Sequence, residues 1–316
     1  MPNYKQIDLG KIKTISIQRR KSKVQLRDFA KVVDPKQTFS EFIRSLPRIL
    51  IAEDLRRFVD DVAKAVRNGK PIILLIGAHV IKVGLSPLII DLIKRKIISC
   101  VAMNSAAAIH DIETAWWGKT SEDVEENIID GRFGMAKETG DFINKTLGSG
   151  FIRDNAGYGE VLGRALQQAP NKKLSVIAAC YKQNIPVTVH AAIGTDIVHQ
   201  QPTMDGAVTG EMTFRDFRVL CHVVKDLQGG GVVMNIGSAV VLPEVFLKAL
   251  TVARNLGYRA KGFTTANFDM IQHYRPRMNI VQRPTKNGGK GYMFTGHHEI
   301  MIPLVVAMIK DRLRSK

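Results

Sequence analysis

One stretch near the start of the chain constrains the fold more than any other. The segment from Lys70 to Glu113 opens with an apolar run that stops at Gly77. A helix-period segment follows from Ser86, and a second apolar run ends at Asn104. Short apolar runs separated by a helix of about a dozen residues are typical of a parallel βαβ unit. Ligands of such sheets bind outside the carboxyl ends of the strands, so the residues after each run are candidate site residues.

Four more short apolar runs follow, each ended by small or polar residues. They stop near His190, Ile236, Asn267 and Thr295, and helix-period segments separate them. The pattern predicts an α/β fold: a Rossmann-like, doubly wound, mostly parallel sheet of about six strands with helices on both faces. We expect residues 1–50 to form a basic N-terminal arm and first helix, and residues 51–316 to form a single domain.

Composition limits the partners and the compartment. The net charge of +17 is spread along the 316 residues and no nucleic-acid-binding motif accompanies it, so nucleic acid is not the expected partner. The three cysteines are far apart without metal-ligand spacing, which favours buried reduced thiols. The N-terminus has no signal-peptide core, and every apolar run is shorter than the roughly 18 residues of a membrane span. We therefore expect a cytoplasmic protein that does not bind membranes.

Six segments, taken in order, resemble the deoxyhypusine synthase family. They are GAHVIKVGLSPLI, NSAAAIHDIE, IPVTVHAAIGTD, GGGVVMNIGSAV, TTANFD and GHHEIMIPLV, and the match runs over roughly residues 70–310. The resemblance implies NAD bound across the strand ends, a small amine, polyamine or amino-acid substrate, and a homotetramer built as a dimer of dimers. The piece AAIHDIE is also similar to the related domain of ornithine cyclodeaminases. An enzyme of that type, using NAD or a nickel-pincer nucleotide, is therefore an alternative.

The resemblance and the strand ends together predict the cofactor site. The turn after the first run and the turn after the second are expected to lie against NAD, with an aspartate of the third turn beside them. A glycine pair matches the glycines beside the nicotinamide, and the TTANFD segment matches the ribose and adenine side. The predicted cofactor-binding residues are Gly77, Ala78, His79, Asn104, Ser105, Ala106, Asp196, Gly230, Gly231, Thr265, Ala266 and Asp269.

The candidate catalytic residues include histidines beside acids. His110 with Asp111, and His297 with Glu299, could transfer protons near neutral pH. The histidine spacing fits no standard zinc motif, so no metal is predicted.

The chain departs from the family at the catalytic lysine. The family's Trp-Gly-Lys motif is absent, and Lys286 and Lys290 lie in the corresponding interval as candidate nucleophiles. Asn235 lies where the family has its substrate-side histidine. Arg275 and Arg277 suit a carboxylate or a phosphate, because a guanidinium group binds either with two parallel hydrogen bonds.

The resemblance therefore implies an NAD-dependent transferase related to deoxyhypusine synthase. Such an enzyme would dehydrogenate an amine to an imine, which then undergoes alkylamine transfer or deamination. An interpretation from another class is a nucleotide-binding protein without catalysis that recognises a partner through its basic surface.

Overall fold

Six β-strands form one parallel sheet in the computed structural model, which describes residues 4–153 and 155–314. The strands are β1 (Ile72–Ile76), β2 (Cys100–Asn104), β3 (Val187–His190), β4 (Val232–Ile236), β5 (Thr264–Asp269) and β6 (Lys290–Thr295). Their order across the sheet is β3-β2-β1-β4-β5-β6, and every neighbouring pair is parallel. The predicted α/β, Rossmann-like fold class is confirmed.

Helices precede, connect and follow the strands along the chain. They are α1 (Phe39–Ser45), α2 (Leu50–Arg67), α3 (Ala78–Lys82), α4 (Ser86–Lys94), α5 (Ser105–Trp117), α6 (Val124–Ile128), α7 (Lys137–Arg153), α8 (Tyr158–Ala165), α9 (Val176–Lys182), α10 (Gly206–Val224), α11 (Val241–Asn255), α12 (Tyr274–Pro276) and α13 (His298–Arg314). A π-helix over Arg277–Gln282 continues α12. Two compact units result, one ending at Glu53 and one beginning at Asp54. Within the described ranges, no helix combines the length and apolarity needed to cross a membrane.

The central strand β1 is buried on both faces, as expected for a parallel sheet covered by helices. Ile73 and Leu75 belong to a core cluster that includes Leu220 of α10 and Phe246 of α11. Burying one such side chain contributes about 1.5–3 kcal/mol to the free energy of unfolding. Phe58 of α2 packs its ring against the aromatic rings of β5 and β6. These contacts fix the strand ends that carry the candidate site.

The strand order creates a switch point between β1 and β4. From β1 the chain adds β2 and β3 on one side, and it then returns to add β4, β5 and β6 on the other side. Helices that follow β1 and β4 therefore leave the sheet in opposite directions. In open parallel sheets a crevice at the carboxyl ends of the strands forms at this point, and ligands bind there.

Candidate active site

The ends of β1 and β4 touch each other at the switch point. The Gly77 amide donates a hydrogen bond to the Ile236 carbonyl oxygen at 2.9 Å. A Cβ atom at position 77 would overlap the carbonyl oxygen of Gly237. Gly237 itself has φ of 65°, which favours glycine. The sequence predicts that Gly77 makes room for a cofactor. In the structure, the backbone of the turn after β4 occupies the space beside Gly77.

Two histidines lie beside this contact. His298 is 1% exposed, and its Cε1 is 3.0 Å from the position of a Cβ on Gly237. Its Nε2 is 3.2 Å from the Phe268 carbonyl oxygen, so Nε2 carries the proton and donates to it. Nδ1 has no partner among the described residues. The ring of His79 lies 5.4 Å away, and burial, followed by the effect of His298, lowers the pKa of His79. The switch point therefore holds a buried acceptor that no described group uses.

A cavity of about 310 Å³ lies beside the start of α5. Four residues of α5 spaced by three or four line it, so they share one face of the helix. These residues are Ala106, Ile109, His110 and Glu113. Lys82 of α3 and the loop that contains Asp196 form further parts of the wall. The volume is at the lower end of the range for ligand pockets and suits a small molecule.

His110 belongs to a hydrogen-bonded network at this cavity. The Thr120 hydroxyl donates to Glu113 Oε2 at 2.6 Å, and the hydroxyl oxygen lies 2.6 Å from His110 Nδ1. Because the hydroxyl proton is directed to Glu113, Nδ1 of His110 must donate to Thr120. Thr139 also donates to Glu113, at 3.0 Å. His110 Nε2 therefore keeps its lone pair and can act as a base.

Burial lowers the pKa of His110, and Lys82 lowers it further, whereas Glu113 raises it. Burial is the largest of these effects, so the imidazole is neutral at physiological pH. A neutral imidazole with a free Nε2 is the form that general base catalysis requires.

The turns after β2 and β3 meet next to this network. The Ser105 hydroxyl donates a short hydrogen bond to Asp196 Oδ2, and burial raises the pKa of Asp196. Asn104 Oδ1 accepts from the Ala107 amide at 3.0 Å and caps α5. The structure thus brings together Ser105, Asp196 and the cavity residue Ala106, while their cofactor-binding role stays a prediction.

Asp111 lies outside the cavity, contrary to its predicted catalytic role. It is 0% exposed. Its carboxylate accepts from the Ser175 hydroxyl at 2.5 Å and from the amides of Val176 and Ile177 at 2.7 and 3.2 Å. Asp111 therefore caps the start of α9. Adjacent helix residues point about 100° apart, so His110 and Asp111 face different surroundings.

Four predicted residues lie at the opposite edge of the sheet. Gly230 and Gly231 precede β4, Lys290 begins β6, and Lys286 lies in the turn before it. Lys290 Nζ is 2.6 Å from Asp61 Oδ1. The amino ends of parallel strands share one edge, so these residues cannot share a crevice with the strand ends at Asn104 and Asp196. The roles that the resemblance implies for them, beside the nicotinamide and as nucleophiles, do not match this position.

The other predicted residues at the end of the chain are exposed or engaged elsewhere. His297 Nδ1 is 3.8 Å from Glu299 Oε1, and both side chains are largely exposed at the start of α13. Arg275 pairs with Glu244 at 3.4 Å, and Arg277 is exposed. The buried histidine of this segment is His298 rather than the predicted His297.

The polar residues inside β4 and β5 mostly bind one another. Asn235 Nδ2 donates to the Ser238 carbonyl oxygen at 3.0 Å and to Asn267 Oδ1 at 2.7 Å. Its Oδ1 has no partner among the described residues. The Asn267 bond ties β4 to β5, and Asn235 is not part of the wall of the cavity beside α5. The predicted residues of β5, which are Thr265, Ala266 and Asp269, are all buried.

The sequence does not point to Thr120 or Lys82. Thr120 lies in the connection after α5, and nothing in its neighbours marks it. Lys82 ends a helix of five residues that is too short for a periodicity argument. The spacing of His110 and Glu113 is the one usable signal, because residues three apart share a helix face.

Comparison with known proteins supports the fold. No protein-family model matches the sequence, and a search of curated proteins finds no match. Among solved structures, a protein from Entamoeba histolytica assigned as a deoxyhypusine synthase matches with a TM-score of 0.52 at 12% identity. The match covers 88% of this chain and 95% of the other. The predicted resemblance to deoxyhypusine synthase is therefore confirmed at the level of the fold.

Enzymes of arginine and ornithine metabolism share this fold too. ArgZ, a cyanobacterial arginine dihydrolase, matches with a TM-score of 0.50 at 15% identity, over 83% of this chain. AgrE in its complex with ornithine and NAD⁺ matches with a TM-score of 0.50 at 13% identity, over 82% of this chain. The chain spans about a third, 32%, of the length of each of these proteins.

Proposed function

We propose that this protein is an NAD-dependent enzyme that dehydrogenates a small amine or amino acid. The observation that carries the proposal is the cavity beside α5, where a neutral His110 has a free Nε2 at the carboxyl edge of a Rossmann-like sheet. This edge is where ligands of such sheets bind. AgrE, which has this fold, forms a complex with ornithine and NAD⁺.

The residues at the carboxyl edge fit a nicotinamide cofactor. Two buried polar atoms near the end of β4, His298 Nδ1 and Asn235 Oδ1, lack partners among the described residues. Both are acceptors that an amide or hydroxyl of a bound ligand would satisfy, which removes the cost of leaving them unpaired. Ser105 and Asp196 supply a donor and an acceptor at the neighbouring turns. Bound NAD would accept a hydride from the substrate carbon that carries nitrogen.

The cavity residues would transfer protons to and from the substrate. His110 Nε2 takes a proton from the substrate ammonium group, which allows the hydride to leave the adjacent carbon and gives a protonated imine. A water molecule adds to the imine carbon, ammonia leaves, and a carbonyl product remains. Glu113 stabilises the imidazolium formed on His110 through Thr120.

Alkylamine transfer is the second candidate, and Lys82 favours it. Lys82 lines the cavity, whereas Lys286 and Lys290 lie at the amino edge. A lysine amine can capture an imine and pass the alkyl group to an acceptor amine. In that reaction the lysine would be Lys82. The two candidates differ in product: deamination yields a carbonyl compound and leaves the cofactor reduced. In transfer, the nitrogen first bound to the imine carbon would leave as ammonia or an amine when Lys82 attacks, and the hydride would return to the imine formed with the acceptor amine, so no carbonyl product accumulates.

Reduction of NAD provides the test. The purified chain is mixed with NAD and with linear diamines, polyamines or α-amino acids, and absorbance of reduced nicotinamide and free ammonia are measured. We expect at least one amine to reduce NAD, and His110→Ala to lower the rate by about a hundredfold or more. Binding of NAD without reduction by any amine would instead support a non-catalytic nucleotide-binding protein.

A further inference from the structure

A second cavity lies at the amino end of β3, away from the carboxyl edge that carries the candidate active site. Its volume is about 480 Å³, and its walls come from α8, α10, the end of α9 and the start of β3. The wall residues are Gly157, Glu160, Tyr181, Asn184, Ile185, Pro186, Val187, Asp216 and Val219. In a chain of net charge +17, this described wall contains two acids and neither lysine nor arginine. The local charge is opposite to that of the whole chain.

Asp216 is the central polar group of the cavity. It is 2% exposed, and Oδ2 accepts from the Gly159 amide at 2.8 Å and the Val189 amide at 2.6 Å. No described residue donates to Oδ1. A Cβ atom on Gly157 would overlap Oδ1, so this position requires glycine for the turn before α8 to pass beside the oxygen. A buried carboxylate oxygen without a donor is costly, and a bound cationic donor would remove that cost.

The rest of the wall suits an ammonium ion. Glu160 is the other charged group that acts on Asp216, and it is also an acid. Tyr181 contributes an aromatic ring that is 37% exposed. A carboxylate together with an aromatic face is a common arrangement for binding alkylammonium groups. We propose that this cavity binds a primary alkylammonium ion through Asp216 Oδ1, independently of the candidate active site.

The protonation of Asp216 makes the proposal sensitive to pH. Burial raises its pKa to about 8, and Glu160 raises it as well. The other titratable groups in electrostatic range are Tyr158 of α8 and Cys100 of β2, and burial raises the pKa of both. The ammonium ion therefore displaces one proton from the Asp216 carboxyl when it binds below pH 8. Affinity should rise about tenfold per pH unit up to that value and then level off.

The NMR signals of the Tyr181 ring provide the test, because Tyr181 lines this cavity and not the candidate active site. The chain carries ring-labelled tyrosine, the Tyr181 signals are assigned with Tyr181→Phe, and n-butylammonium is titrated at several pH values by NMR. The neutral probe 1-butanol is the control for apolar contact. We expect the ammonium ion to shift the Tyr181 signals at millimolar concentration, with the pH dependence above, and 1-butanol to leave them unchanged. Equal shifts with both probes, or none with either, would overturn the proposal.

Three variants locate the binding group. Asp216→Asn removes the charge, keeps the size and still offers an oxygen to the two amides, and it should weaken binding by about tenfold or more and abolish the pH dependence. Glu211→Gln changes an acid of the same helix outside the cavity and should leave binding as it is. If Asp216→Asn does not fold, Glu160→Gln at the exposed part of the wall provides the test. We expect it to weaken binding of n-butylammonium severalfold. If the cavity variant that folds binds n-butylammonium as tightly as the parent does, the proposed binding site is contradicted.

Discussion

His110 shows how single residues set the chemistry of the cavity. Its Nδ1–H donates to the Thr120 hydroxyl oxygen, and that hydroxyl donates to Glu113, each at 2.6 Å. These two hydrogen bonds fix the tautomer of His110, with the proton on Nδ1. Glu113 raises the pKa of His110, and Lys82 lowers it. Glu113 and Lys82 therefore shift the pKa of the same imidazole in opposite directions.

This opposition gives a prediction on the pH dependence of the reaction. His110 must be neutral to act as a base, so the rate should fall as pH decreases through its pKa, which burial holds below the usual value for histidine. Glu113→Gln should move this acid limb to lower pH, and Lys82→Met should move it to higher pH. The pH profile of NAD reduction measures both shifts, with Lys94→Met on the exposed surface of α4 as the control. Shifts in the same direction, or none, would contradict the role of His110.

Asp111 shows where residue-level inference from the sequence stops. Its neighbour His110 suggests a pair, yet the two side chains diverge on α5. The Asp111 carboxylate instead accepts a hydrogen bond from Ser175, which lies 64 residues later in the chain at the start of α9. A local pattern carries no information about such a distant partner.

At the scale of elements, the close contact between the turns after β1 and β4 depends on glycine. Gly77→Ala would drive a methyl group into the Gly237 carbonyl, and backbone cannot move aside as a flexible side chain can. We expect the free energy of unfolding to fall by about 3 kcal/mol, measured by urea denaturation.

Gly148→Ala is the matched control. Gly148 lies within α7, and a Cβ atom added to it would meet no other atom within 4 Å. Alanine at this position should therefore raise stability by up to about 1 kcal/mol through its helix propensity. If Gly77→Ala were as stable as the parent, the two turns would be further apart than the structure has them.

The elements themselves could be predicted well from the sequence. The buried runs that form β1, β2 and β4 are short, apolar and bounded by glycine or polar residues, and burial on both faces imposes that pattern. The edge strand β6 is mostly exposed and carries a weaker signal. The sequence also places Gly230 and Gly231 before a strand, where the structure has them. Only the family resemblance assigns these glycines to the nicotinamide, because a matched motif carries its role with it whichever edge of the sheet it occupies.

At the scale of the whole molecule, the direction of the strands separates two edges with different roles. All six strands run the same way, so every carboxyl end lies at one edge and every amino end at the other. The candidate active site lies at the carboxyl edge. Lys286 and Lys290 lie at the amino edge, where Lys290 pairs with Asp61 at 2.6 Å. This ion pair is partly exposed, so its loss should cost no more than about 1 kcal/mol of stability.

Variants at the two edges should therefore behave differently. Ala106→Arg places a long charged side chain in the cavity beside His110, and it should abolish NAD reduction by amines while the protein stays folded, because Ala106 is only partly buried. Lys286→Ala and Lys290→Ala should leave the rate within about twofold of the parent, because neither lysine reaches the carboxyl edge. Steady-state kinetics with circular dichroism as the folding control distinguishes the cases. A large loss of activity in either lysine variant would mean that the amino edge takes part in the reaction, and the assignment of the site to the carboxyl edge would fail.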